Sequence, residues 1–433
     1  MHEKEPSARA ARKARMTFDQ PDLLGAQSVP RQDEFTPTRR AGLTRLSSFL
    51  PRAGTFYARE RNADLGPENR AGVSMLSPWI RRRLVSEREV VAAVLAAHGH
   101  ARAEKFVQEV FWRTYWKGWL EARPAVHARF LDELAAAQEL AREGALARRL
   151  AAAQAGETGV ACFDVWAQEL NETGFLHNHA RMWFASIWLF TLELPLSLGV
   201  DFFARRLIDH DPASNLLSWR WVAGLHTPGK HYVATAHNIR LNTGGRFDPR
   251  GELNEAPAPL TEQAAPTQFS AQAIAPASSP DALEGARVAL LLTQEDLHAE
   301  SLAPVAAMGV AGLRSADMEG EGPAAAFSRG AMEDALARAS AHFAAPNAGA
   351  LDEAGVLAWA QGLGAAHVLT AYAPVGAIAH DLRRLEASLA RAGVRLLRVR
   401  RAWDEAAWPH ARAGFFKFRE KIPRLIYEAG LTA

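Results

Sequence analysis

Glu109, Trp112, Arg113 and Trp116 stand at i, i+3, i+4 and i+7 of a helix that the apolar spacing predicts over Ala103–Leu120, so they share one face. Phe106, Val110 and Tyr115 make the opposite side apolar. A carboxylate, flat rings and a guanidinium on one stripe suit a planar or anionic ligand. They also suit a plain Glu–Arg pair on a partly solvated face, and spacing alone leaves both open.

Three further segments put polar groups in apolar company. Around Val73-Ser74-Met75-Leu76-Ser77-Pro78, Ser77 suits an N-cap and Pro78 the first helical position, which leaves backbone N–H groups for an anion. After Thr173, an expected cap, His177, Asn178 and Arg181 point one way on a helix that runs into Met182, Trp183 and Phe184. A buried Arg181 needs an acid, and Asp209 is its natural partner. Asp211 before Pro212 is another N-cap, and Asp211, Asn215 and Trp219 then align at i, i+4 and i+8, with Trp221 two residues on. His177 and His179 are two apart and diverge on a helix, unlike the i, i+4 pair of zinc helices, so no metal site is expected.

These segments need a scaffold. With 433 residues the chain is too long for one ordinary core. Nearly half the residues are apolar, which is a globular composition. A net charge of +2 excludes a uniformly cationic coat for nucleic acid, so any such contact must be a local patch. Arg81-Arg82-Arg83 could supply phosphate contacts or form an ordinary solvated face. Cys162 is the one cysteine, which excludes internal disulfides and cysteine-based zinc or iron–sulfur sites and fits a cytoplasmic location. Met182–Val200 is apolar, but Glu193 and Pro195 interrupt it, so a buried helix and loop are expected and not a membrane span.

The fold class expected is α+β and multidomain, an all-helical domain followed by a small parallel α/β domain. Residues 1–35 read as a loose arm and residues 36–251 as the helical domain. Residues 252–286, rich in Ala, Pro, Ser and Gln, read as a linker or surface strap. In residues 287–433, the buried-strand patterns Arg287–Leu292, Gly309–Arg314, Ala366–Thr370 and Val394–Val399 alternate with helical stretches such as Asp352–Leu363 and Ala377–Ala392.

Taken in order, Tyr57, the Ser74–Ser77 loop, Glu109/Trp112/Arg113, Asn178/Arg181 and Asp209/Asp211/Asn215/Trp219/Trp221 resemble the FAD-binding domain of the photolyase/cryptochrome family. The resemblance spans Phe35 to about Pro249. It implies FAD as cofactor, folded into a U and held by Tyr57, Ser74, Met75, Leu76, Ser77, Arg113, Asn178, Arg181, Asp209, Asp211 and Asn215. It places Ser74, Leu76, Ser77 and Arg113 at the phosphates, Asp211 beside the flavin and Asn215 at its N5 edge. Trp219 becomes the proximal electron donor to excited flavin. Glu109, Trp112, Met182 and Trp221 match positions that meet a flipped pyrimidine dimer in repair enzymes.

Val73 stands where the family has a loop hydroxyl, and Leu196 where it has a second relay tryptophan, for which Trp183 or Trp188 would have to substitute. The family's closing helices are missing after Phe247-Asp248-Pro249, and the α/β segment follows the helical domain instead of preceding it. The tail from Trp403 to Arg419 resembles the end of the family's antenna domain, which reads as a circular permutation. The function implied is a light-driven DNA photolyase acting on pyrimidine dimers, with damaged DNA as partner and an antenna pigment possible. A cryptochrome-like light sensor, or a flavin protein without repair, is the alternative.

Overall fold

The structure is a computed structural model that describes residues 35–262, 267–277 and 285–431. Apart from Phe35, the expected N-terminal arm lies outside the described residues. The described residues from Phe35 onward cluster as one compact unit, with helices from Arg39 to Asn242 and a sheet from Arg287 to Val399.

The longest helix, Glu87–Glu121, starts sixteen residues before the expected Ala103 and is broken at Gly99, whose φ of 67° lies in the left-handed region that glycine tolerates. Ser86 and Glu89 form a reciprocal capping box at its start, fixing where it begins. Its second half carries Glu109 to Lys117 through the centre of the molecule. The apolar stretch after Met182 divides as Glu193 and Pro195 require, into helices Asn178–Ser186 and Leu196–Arg206 joined by a π-helical turn, Ile187–Thr191. Among the described residues no helix is long and apolar enough to cross a membrane.

The sheet has five parallel strands in the order β3-β2-β1-β4-β5: β1 Arg287–Leu292, β2 Ala306–Leu313, β3 Asn347–Leu351, β4 His367–Ala371 and β5 Arg395–Val399. Four of these fall on the expected strand patterns within a few residues. The edge strand β3 was not expected, because its Asn-Ala-Gly-Ala-Leu is short, half exposed and without β-branched residues. The helix Glu353–Gly362 falls within the expected helical stretch Asp352–Leu363, and the Asp352 side chain caps it.

Sheet and helices are joined by buried charge. Arg81, Arg82 and Arg83 are at most 4% exposed, so this run is neither a solvated face nor a contact for outside phosphates. Arg81 takes Glu295 through two hydrogen bonds of 2.8 and 3.0 Å. Arg83 takes Asp404 at 2.6 and 2.8 Å and Glu87 at 3.1 Å. Arg82 faces neutral acceptors, Gln294 Oε1, Ile208 O and the Ser328 hydroxyl. Charge runs prefer solvent because burial is costly, and here each guanidinium has partners from the C-terminal part to offset that cost. The end of the chain also packs on the long helix, where a Cβ at Gly118 would come within 2.8 Å of the Trp408 side chain.

The described parts of the Ala/Pro-rich segment lie along both halves. Arg220 and Arg129 hold Glu262, and Arg400 donates to the Ala275 carbonyl.

Candidate functional site

Every residue read from the sequence as a cofactor or catalytic candidate lines one cavity of about 720 Å³. Its floor comes from the helix Pro212–Val222, whose Asp211 cap accepts the Ser214 N–H at 2.8 Å. Asn215, Trp219 and Trp221 follow up this helix. Asn215 Nδ2 donates to the Val200 carbonyl at 2.9 Å, which fixes the carboxamide plane and leaves Oδ1 as its remaining polar atom.

Asp211 is 2% exposed and meets three cations: Lys117 at 3.3 Å, Arg113 at 3.6 Å and Arg81 at 3.9 Å. Burial opposes its charge, but Lys117, Arg81 and Arg113 hold the carboxyl far below the usual carboxylate range. Arg113 therefore turns toward Asp211 while lining the cavity. Lys117 and Arg81 are two residues that the sequence reading missed at this site. Lys117 was available to it, one turn beyond Arg113 on the stripe begun by Glu109.

Arg181 and Asp209 pair at 3.0 Å, as expected. Arg181 also donates to the Leu176 carbonyl at 2.8 Å and lies over the Phe175 ring. Burial works against the Asp209 charge, and Arg181, the Ser77 hydroxyl and Arg113 outweigh it, so its pKa is lowered. Two caps differ from expectation. Thr173 ends the preceding helix, turned at Gly174 with φ 67°, and the helix Asn178–Ser186 is capped by His177 Nδ1 accepting the His179 N–H. Ser77 is the first residue inside the helix Ser77–Arg81, not its cap, which frees its hydroxyl for Asp209. Beside it Met75 has a φ of 56°, an uncommon backbone state of the kind held at ligand loops.

Glu109, Trp112 and Met182 form another wall. Arg61, unrecognised in the sequence, binds Glu109 at 2.6 Å, and burial raises the Glu109 pKa against that pairing. Trp112 stacks on Phe415, centroids 3.6 Å apart and planes 11° apart. Tyr57, 9% exposed, packs edge-on to Phe106. Beneath the cavity Trp219 meets Trp188 at 6.1 Å and 85°. A Cβ at Gly199 would lie 2.3 Å from the Trp219 ring, so the glycine permits this contact. Trp183 instead stacks on Trp166 and His179.

The fit of a dinucleotide is supported by what the protein leaves open. Arg113 Nη1, His177 Nε2 and the Trp219 indole N–H are buried, belong to this cavity's walls and have no hydrogen-bond partner from the chain. Such groups need partners. Donors and a guanidinium beside an apolar, aromatic slot suit a phosphate-bearing planar cofactor.

The fold and this cavity define a protein whose helical part offers a pocket for a phosphate-bearing planar cofactor. Residues 106–278 match the family model described as the FAD binding domain of DNA photolyase. Over 242 residues the chain is 33% identical to a deoxyribodipyrimidine photo-lyase of Thermus thermophilus, covering 55% of each. It is 27% identical over 229 residues to a cryptochrome DASH of Idiomarina loihiensis, covering 52% of this chain and 49% of that one. A solved class III photolyase from Agrobacterium tumefaciens is 24% identical, with a TM-score of 0.40, over 49% of this chain and 44% of that one. The chain thus spans about half the length of the curated relatives it matches. Residues 106–278 are thus similar to the FAD-binding domain of DNA photolyase, and FAD is the cofactor of that domain.

Proposed function

We propose that the protein is a light-driven DNA photolyase that splits pyrimidine dimers. The observation that carries this reading is the Glu109–Trp112–Met182 wall, which shares one cavity with the Asp211–Asn215 floor. When bound in this cavity, FAD would supply light-driven electron-transfer chemistry, while the chain's residues position it and the substrate. In this reading Tyr57, the Ser74–Ser77 loop with Met75 and Leu76, Arg113 and Asn178 hold the cofactor. Arg181 and Asp209 anchor it, and Asp211 and Asn215 meet the flavin. Trp112 and Trp221 receive the flipped bases by stacking. That stacking offsets part of the few kcal/mol, roughly, that extruding a base costs base-flipping enzymes as a class, photolyases among them. Glu109 hydrogen-bonds the pyrimidine edge. Trp219 would be the electron donor nearest a bound cofactor, and Trp188 would follow it in place of the aromatic missing at Leu196. The sheet following the helices supports a permuted antenna-like part.

One observation favours a light sensor without turnover: the Glu109 carboxylate is already held by Arg61 at 2.6 Å. Illumination of the reduced protein with a dimer-containing oligonucleotide tests the choice. Loss of the lesion in light alone is expected. Equal affinity for damaged and undamaged DNA, with no light-dependent loss, overturns repair in favour of sensing.

A further inference from the structure

Behind Asp211 lies a second layer of charge that does not line the cavity. Arg81 and Lys117 are both within 4 Å of Asp211 Oδ2, and their side chains are 2% exposed. Both also meet Glu295, Arg81 at 2.8 Å and Lys117 at 3.5 Å. Glu295 belongs to the turn that leaves β1, where its N–H donates to Thr293 Oγ1 and Thr293 bridges Asp296. The sheet therefore delivers a carboxylate, 5% exposed, to the back of the helical part's cavity.

Around Asp211 three cations stand against two carboxylates, Asp211 and Glu295. In a buried setting such charges are weakly screened, so each acts on a neighbouring group through the wall. Asp317 also acts on Arg81, and Glu87 and Asp404 act on Lys117, but Glu87 and Asp404 pair directly with Arg83. Among the described residues, Glu295 is the acid besides Asp211 that touches both cations. Its double hydrogen bond to Arg81 also fixes the guanidinium whose Nε donates to the carbonyl of His210, the residue next to Asp211.

We propose that Glu295 is a positioning residue of the cofactor site: by engaging Arg81 and Lys117 it sets the positive charge behind Asp211, and so the redox poise of FAD in the cavity. This rests on FAD occupying that cavity. It makes the sheet part of the flavin site, acting through charge and not through contact.

The test is a redox titration of the FAD-loaded 433-residue chain. Glu295→Gln removes a negative charge, favours the electron-rich reduced cofactor and should raise its reduced-to-oxidised ratio at fixed potential about tenfold. For a two-electron couple that is about 30 mV. Lys117→Gln should move the ratio the opposite way, and the double variant should return toward wild type. Should Glu295→Gln alone not fold, the double variant must still titrate above Lys117→Gln, since the two differ only in the Glu295 charge. A purely structural Glu295 would lower the melting temperature without these opposed shifts. Bound FAD whose potential ignores both substitutions, or moves the same way in both, overturns the proposal alone. A wild-type chain that takes up no FAD overturns it together with the cofactor assignment.

Discussion

The Trp188 indole meets that of Trp219 edge to face, and the Trp188 N–H donates to the Pro195 carbonyl at 3.0 Å in the loop before Leu196. Leu196 has no ring to carry charge, yet the π-helical turn Ile187–Thr191 brings a different tryptophan to the neighbouring position. Trp219→Phe should slow photoreduction strongly with FAD still bound, and Trp188→Phe should slow it nearly as much, while Trp183→Phe should not. Flash photolysis reads all three. A wild-type rate in Trp219→Phe would mean that electrons enter by another route.

Arg181→Ala strands Asp209, whose side chain is 3% exposed, and opens the cavity wall. The expected cost is about 2–3 kcal/mol, since a buried acceptor loses its charged donor. Denaturant melts and flavin absorbance check it. Normal stability and normal occupancy together would contradict the role given to this pair.

Arg83 holds Asp404, Glu87 and, at 3.6 Å, Asp296. Arg83→Met should destabilise the protein by about 3–5 kcal/mol by leaving carboxylates unpaired in the interior. Adding Asp404→Asn should recover part of that loss. A double-mutant cycle on equilibrium unfolding measures the coupling, and strict additivity would argue against a direct pair.

His226 is half-buried against Trp116 and Trp119, its ring nitrogen 3.3 Å from the Tyr115 hydroxyl. Burial, with Arg220 and Arg123 nearby, lowers its pKa from 6.5 to about 4. Between those values the unfolded chain takes a proton that the folded chain refuses. Stability therefore falls as pH drops through 6.5, and the loss, at most roughly 3 kcal/mol, is complete below about 4. His226→Gln should flatten the stability–pH curve in that window. Burial lowers His177 to about 4 as well, so a residual slope should persist.

Phe415 covers one face of Trp112, leaving the ring to the cavity by its other side. Trp112→Ala should weaken binding of dimer-containing DNA by about 1–3 kcal/mol, the loss of one stacked base, without bleaching the protein. Phe415→Ala, which frees the Trp112 plane, should weaken it less, and Phe416→Ala, at a residue 73% exposed, serves as control. Unchanged affinity in Trp112→Ala would remove this ring from lesion recognition. Glu109→Ala should lower repair yield more than binding.

Local pattern was enough for much of the helical part. Asp211 with Pro212, the three- and four-residue spacing from Glu109 to Trp116, and the Arg181–Asp209 complement all depend on a single helix or on one buried charge demanding another. Four strands were legible from their short apolar runs, while β3 was not, because an edge strand buries too little to leave a pattern. The cap expected at Thr173 falls instead on His177, another polar side chain nearby, and Ser77 lies one residue inside its helix, whose cap position Leu76 makes no side-chain hydrogen bond.

By itself the sequence determined that a helical part carries an ordered set of polar and aromatic residues and that a parallel sheet follows it. Only the tertiary structure decided where the charges go. Arg81-Arg82-Arg83 looks like a solvent-facing run because burying a guanidinium is costly, and its partners Glu295, Gln294, Ser328 and Asp404 lie more than 200 residues away. The same holds for Phe415 behind Trp112 and for Trp188 beside Trp219. Such pairs depend on how elements dock, which no local spacing records, and the docking itself supplies the partners that offset the cost of their burial.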